Sequence, residues 1–368
     1  ALNKPERPMT DEKPPAKPAA HADAKSEPGK TDYLMRFHFQ HLAIRGAVVK
    51  LNNSYVEALN GRDYPAVAQT LLGECLAATL LMAANLKTSA RLSLQARGAG
   101  PLGLLMAETS LSKSTSLTAE QPDTFHQTLR ALARIDTEHA EADALEEPDA
   151  NLQSLLGRAQ LAITMEPLAG ERHLENQSPN ATASKDFTQN QAHAGRRQER
   201  YQGIVGLDDP DLDTCLENYF LRSEQLPTFL KLYAQGDQAA GILIQKIPTS
   251  ASAADIQPVD NDSWQEVTIL ASSLKNEELI GLPANEILHR LYHQHDYHTS
   301  PPQAVAFACS CSANRTGAAL MHIDSREIEE ILAADGEIVM DCEFCSARYR
   351  FDRNAIDKLN TDQDDTRH

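Results

Sequence analysis

The sequence predicts an α+β fold, with an N-terminal mixed sheet and helix core domain, a helical linker and a small C-terminal zinc-binding domain. Three observations carry this. Short alternating runs separated by turn signals recur from about residue 91 to residue 248, with helical segments inserted among them rather than after every strand. That is the pattern of an antiparallel meander, not of a doubly wound parallel sheet. A polar, acidic stretch with two amphipathic helical patterns follows, and four of the six cysteines then fall within 37 residues near the C-terminus.

Length and charge narrow the function classes. The 368 residues allow two or three domains. With 34 Lys+Arg against 52 Asp+Glu, a formal net charge of −18, the chain is a poor binder of nucleic acid, because phosphate contacts need cations that displace counterions. The same charge disfavours an anionic membrane surface. Six cysteines are too few for a disulfide-stapled secreted scaffold. The most apolar stretch, Ala66 to Leu86, carries Glu74, and its longest charge-free part has 12 residues, short of the ~20 a bilayer span needs. Without a signal-type apolar run near the start, a cytoplasmic protein is expected.

Residues 1–31 hold six prolines and five lysines and almost nothing large and apolar, so they are expected to form a disordered tail. The core domain is expected over 32–248. Pro65 to Lys87 reads as a long buried helix, rich in Leu and Ala. Arg91 to Arg97 alternates like a half-buried strand, Gly98, Gly100 and Pro101 mark a turn, and Leu102 to Ala107 reads as the return strand. Leu129 to Ile135, Gln160 to Met165 and Tyr201 to Leu207 are further strands, Asp211 to Ser223 a helix, and Phe229 to Tyr233 and Ala240 to Ile247 closing strands. Residues 171–199, rich in Asn, Gln, His and Ser, read as a polar insertion.

The linker is expected over 249–308. Trp264, Val267, Leu270 and Leu274 lie at helical spacing, as do Ile287, Leu288, Leu291 and Tyr292 behind Pro283. Eight acidic residues stand against Lys275 and Arg290 alone. The apolar stripe is enough to fold against something but too little to fold alone, so the segment reads as marginally stable.

Cys309-Ser-Cys311 and Cys342-Glu-Phe-Cys345 supply four soft ligands in two close pairs, the donor set of a closed structural Zn²⁺ site. The module, expected over 309–358 with a disordered tail at 359–368, looks too small for a core of its own, so metal binding would supply its folding energy. Ser325 to Ala333 reads as a helix and Arg348 to Phe351 as a strand. An ordinary zinc ribbon and a redox switch both fit. The Cys-x-Cys spacing favours the switch, because a disulfide there closes a small strained ring that is easily reduced. Between Cys309 and Arg353 five arginines and no lysine face nine acidic residues, which argues against a nucleic-acid finger.

Cys75 and Cys215 read as inert core thiols. His289, His293, His295 and His298 read as a polar linker face, since Arg290 stands where a zinc-protease helix needs Glu. With no phosphate loop, nucleophile elbow or carboxylate pair, the expectation is a protein that is not an enzyme.

The cysteine quartet, together with Ala43-Ile-Arg-Gly-Ala-Val48, Asp63-Tyr-Pro65, Tyr201-Gln-Gly-Ile-Val-Gly-Leu207, Tyr219-Phe-Leu-Arg-Ser-Glu-Gln-Leu-Pro227, Leu282-Pro-Ala-Asn-Glu-Ile-Leu288, Arg290-Leu-Tyr-His293 and Ala334-Asp-Gly-Glu-Ile338, resembles the thirty-three-kilodalton chaperonin family of bacterial redox-regulated heat-shock chaperones. The resemblance implies a holdase that protects unfolding or oxidatively damaged client proteins. It implies one Zn²⁺ on Cys309, Cys311, Cys342 and Cys345 in a reduced, inactive monomer. Oxidation would then form disulfides Cys309–Cys311 and Cys342–Cys345, release zinc, unfold a metastable linker and give an active homodimer. A constitutive zinc-stabilised adaptor and a thiol oxidoreductase working through Cys342 and Cys345 are the competing functions. The N-terminal tail and the 171–199 insertion have no counterpart in the family pattern.

Overall fold

The computed structural model describes residues 31–86, 88–114, 124–147, 150–168, 200–248 and 259–365. The expected tail at 1–30, the insertion at 171–199 and the first part of the linker lie outside them. In chain order the elements are β1 (Tyr33–Phe39), β2 (Ile44–Leu51), α1 (Asn53–Leu59), α2 (Ala66–Ala83), β3 (Ala90–Arg97), β4 (Leu102–Ser114), β5 (Thr124–Ile135), α3 (Leu152–Leu156), β6 (Gln160–Pro167), β7 (Tyr201–Gly206), α4 (Leu212–Tyr219), β8 (Thr228–Gln235) and β9 (Gln238–Lys246). After these come α5 (Asn261–Ser272), α6 (Asn276–Gly281), α7 (Ala284–Tyr292), β10 (Tyr297–Thr299), β11 (Gln303–Phe307), α8 (Ala313–Leu320), α9 (Ser325–Asp335), β12 (Glu337–Asp341), β13 (Arg348–Asp352) and α10 (Arg353–Asp365).

Among the described residues the first eleven strands form one sheet in the order β7-β6-β3-β4-β5-β11-β1-β2-β9-β8, with β10 also paired to β1. Two antiparallel ribbons, one ending at β5 and the other at β1, are stitched together by β11. This strand runs antiparallel to β1 (Tyr33 opposite Ala304) and parallel to β5 (Val305 opposite Gln127). The last part of the linker range is therefore built into the sheet.

The side-chain period of two divides β1, β2 and β9 between two cores. Leu34, Ala47, Val49, Leu51, Ala239 and Leu243 face α2. Met35, Phe37, Phe39, Ile44, Val48, Ile242 and Ile244 face α5, α6 and α7. At Gly46 a Cβ would collide with the Phe37 ring and the Leu243 carbonyl, so the strands pack this closely only around glycine.

Helix α2 is buried on nearly every side, from Ala68 through Leu72, Cys75, Leu76 and Leu80 to Ala83. Contrary to the count of charge-free residues, it is long and apolar enough to match a membrane span. It is instead the central helix of the larger core. Glu74 does not interrupt it, because burial, with Asp213 and Asp211 nearby, pushes its carboxyl up to about 8.

The C-terminal module has its own two-stranded sheet, β12 with β13. Contrary to expectation it also has a small core: Leu320, Ile328, Leu332, Ile338, Phe351 and Ile356 are all buried. The sequence reading missed it because α8 and α10 supply Leu320 and Ile356. Helix α10 also carries the chain through Asp365, past the residue-358 boundary, with Leu359 packed on the same cluster.

Candidate metal centre

The first cysteine pair leaves the sheet directly. Ala308 donates its N–H to the Leu129 carbonyl at 3.0 Å, the last rung beyond β11, and Cys309-Ser310-Cys311 follows. Ser312 then caps α8, its hydroxyl accepting from the Arg315 N–H at 3.2 Å. The second pair sits in the turn between β12 and β13. That turn is closed by Cys342 N–H to the Ala347 carbonyl at 2.9 Å and by Ser346 N–H to the Cys342 carbonyl at 2.8 Å. Ser346 holds the left-handed φ of 56° that the tight turn demands.

These two routes bring all four sulfurs together, each within 4.8 Å of the others and each half-buried. Cys309 and Cys342 Sγ are 3.7 Å apart, and Cys311 and Cys345 Sγ are 3.4 Å apart. Four thiolates around a tetrahedral Zn²⁺ at ~2.3 Å lie ~3.8 Å from each other. Spacing, burial and donor softness therefore fit a zinc ion, which Cys309, Cys311, Cys342 and Cys345 could hold. Among the described residues no other group of three or more His, Cys, Asp or Glu converges in this way.

All four thiols are free of disulfides. Burial raises Cys309 and Cys345 above the usual thiol range. Cys342 is also desolvated, but the backbone N–H groups of Phe344 and Cys345 together with the Cys309 and Cys345 thiols outweigh the burial and hold it below that range. The Tyr349 hydroxyl donates to Cys311 Sγ at 3.0 Å, a support absent from the sequence reading. Its only signal was its place next to Arg348 on the strand after the motif.

The other candidates stay apart. Cys75 and Cys215 are buried in the main core, and burial, with Glu74 nearby, pushes the Cys75 thiol up to about 12. The histidines form separate pairs: His289 with His293, and His298 with His38 across the β1–β10 pairing. His295 lies against Phe39 and Tyr292.

The family model described as Hsp33 protein matches residues 32–352. The chain belongs to the Hsp33 family. Two relatives named 33 kDa chaperonin support this. One, from Shewanella oneidensis, is 40% identical over 326 residues, covering 89% of this chain and 94% of its own length. The other, from Shewanella frigidimarina, is 38% identical with the same coverage. A crystal structure of the 33 kDa chaperonin (heat shock protein 33 homolog) from Thermotoga maritima shares the fold. Its TM-score is 0.64 at 16% identity, over 90% of this chain and 99% of that one. The expected α+β architecture with a C-terminal four-cysteine centre is thus the Hsp33 arrangement.

Proposed function

We propose that the chain is a redox-regulated holdase that binds unfolding client proteins. In this reading it is inactive while four thiolates hold Zn²⁺ and active once those thiols are oxidised. Membership of a family whose relatives carry the name 33 kDa chaperonin supports the chaperone class. The observation that carries the switch is the four-thiol cluster whose first member, Cys309, lies two residues beyond β11, the strand that joins the two halves of the sheet.

Bound there, Zn²⁺ supplies a redox-inert clamp whose loss removes about 10 kcal/mol of apparent folding energy from the module. Peroxide takes two electrons from each pair of thiolates and two protons from solvent, leaving a disulfide and two waters as zinc is released. Pairing Cys309 with Cys311 and Cys342 with Cys345 leaves the β11 side and the β12–β13 turn without a common anchor. The linker helices, whose apolar stripes cover one face of the sheet, then come free and expose Phe37, Phe39, Ile44 and Ile242 for clients or for a second copy.

Light scattering of a thermally unfolding client, with the chain added either reduced with zinc or peroxide-oxidised, tests this. Suppression of aggregation by the oxidised form alone, with peptide mapping of the two neighbouring disulfides, supports the proposal. Equal suppression in both states, or none, overturns it. Equal effects would favour the adaptor, a reading to which the six-side-chain core of the module lends support, since it gives the module folding energy besides the metal.

A further inference from the structure

The residues between the ligands are not free surface. In Cys309-Ser310-Cys311 and Cys342-Glu343-Phe344-Cys345 each intervening residue is engaged by an arginine of the core domain. Arg134, on β5, forks onto Glu343, with Nη2 at 2.7 Å from both carboxylate oxygens and Nε at 3.1 Å from one of them. Arg130, four residues and two pleat repeats earlier on the same face of the strand, lays its guanidinium 4.1 Å from the centre of the Phe344 ring. Its Nη1 donates to Ser310 Oγ at 3.0 Å, and its Nε donates to the buried Glu108 at 2.8 Å. One guanidinium thus touches both cysteine motifs at once. Arg62, in the loop after α1, donates to the Cys342 carbonyl at 3.2 Å and to the Glu343 carbonyl. The backbone there comes so close that a Cβ on Gly61 would stand 2.8 Å from Ser346 Oγ.

We propose that Arg62, Arg130 and Arg134 are positioning residues of the metal centre, which seat the Cys342–Cys345 turn against β5 so that the centre opens only as this dock is released. The inference rests on reading the four cysteines as a metal centre. The chemistry of the contacts calls for arginine. A planar fork matches the Glu343 carboxylate, a flat cation stacks on Phe344, and a single group with several N–H donors bridges Ser310 and Glu108. The Arg134–Glu343 pair is exposed and weak by itself. Arg130 and Glu108 are mostly buried, at 16% and 9% side-chain exposure, which fixes the arginine in the geometry that stacking needs. Because β5 is also the parallel partner of β11, both cysteine pairs are referred to one strand.

Zinc transfer from the reduced, full-length holoprotein to a chromogenic chelator, without oxidant, tests the dock. R134E and E343R should each speed release roughly three- to tenfold, and the double swap R134E/E343R should return the rate to within about twofold of wild type. R130K, which keeps the charge but loses the stack and the fork, should also release faster. Wild-type rates in the single variants, or a double swap no slower than the faster single, would overturn the proposal. Unchanged hydrogen-exchange protection of α2 checks that each variant is folded. If the wild-type chain takes up no zinc, the metal-centre reading fails separately. The dock is then read by hydrogen exchange at the Ser346 amide of the metal-free chain, where charge reversal should raise exchange and the swap restore it; no change there would overturn the dock as well.

Discussion

The sheet formed by β1, β2 and β9 is covered on both faces by helices, yet the two covers are built differently. Helix α2 is apolar all round and is enclosed by the sheet, α4 and the turns beside them. It cannot leave without dissolving the core. Helices α5 to α7 are amphipathic, bury one stripe (Val267, Ala271, Leu279, Ile287, Leu288, Tyr292) and expose the other, with Ile269 66% exposed. Their polar ties to the sheet are few and specific. Lys231 donates to the Leu274 carbonyl and Lys50 to the Leu279 and Ile280 carbonyls, each at the end of a short helix. The Ala284 N–H donates to the Tyr33 hydroxyl at 3.0 Å; within the cover itself, the Tyr292 hydroxyl of α7 donates to the Val267 carbonyl of α5 at 3.1 Å. One cover is an enclosed core helix, and the other is a layer of amphipathic helices laid on the sheet with its outer side in water.

The largest effect expected to sharpen this contrast comes from metal removal. Chelation of the reduced protein should cost the C-terminal module about 10 kcal/mol of apparent folding energy. In hydrogen exchange, protection in residues 309–358 should collapse and that in 259–308 should fall, while α2 stays protected. Equal loss in α2 would show that the two covers are one cooperative unit. A smaller effect separates the covers by mutation. Leu76→Ala, at a fully buried α2 position, should lower global stability by about 2–5 kcal/mol, seen as a shift of the denaturant midpoint. Ile287→Ala, equally buried in α7, should instead raise exchange in 259–308 with little change in that midpoint. A comparable midpoint shift for both variants would break the comparison.

The smallest effect is electrostatic, and its sign differs between the covers. Glu74 is raised to about 8 from an ordinary 4.5 by burial and by Asp213 and Asp211. The folded state therefore binds more protons than the unfolded between pH 4.5 and 8, and stability is lost as pH rises through that window. Lys50 is lowered to about 7 from 10.5 by burial. Here the unfolded state binds more protons between pH 7 and 10.5, so the α6 contact gains stability as pH rises there. Each slope reaches at most about 1.4 kcal/mol per pH unit. Glu74→Gln should flatten the decline in global stability from pH 5 to 8. Lys50→Met should remove the pH dependence of protection, that is, exchange relative to the intrinsic rate at each pH, at the Leu279 and Leu282 amides above pH 7. Slopes unchanged by these substitutions would assign the pH response elsewhere.

The elements legible in the sequence carried one of two local signals: a face exposed to water, as in β3 and α7, or a long apolar run, as in α2. Strand β3 alternates buried and half-buried positions from Ala90 to Arg97, and α7 carries a clean stripe on one side. Period and type were therefore readable. Strand β2, packed between two cores, is buried at nearly every position and gave no alternation to read, whereas β1 does alternate, with Arg36 and His38 between Met35, Phe37 and Phe39, but is only seven residues long. Strands β10 and β11 were hidden for another reason. They are three and five residues long, and β11 is a strand only because β1 and β5, remote in sequence, flank it.

The sequence by itself determined the four-thiol centre, since two short cysteine pairs can present their sulfurs to one ion with little help from the rest of the chain. It likewise determined the amphipathic linker helices and the long apolar helix of the core, because local period and composition encode burial directly. Only the tertiary structure decided that β11 joins the two halves of the sheet and that α2 is the helix around which the larger core is built. It alone also placed Arg62, Arg130 and Arg134 against the cysteine turn. These are contacts between residues 175 or more positions apart for β11 with β5 and more than 200 apart for Arg134 with Glu343. No local pattern specifies such pairings; the packing of the whole sheet does.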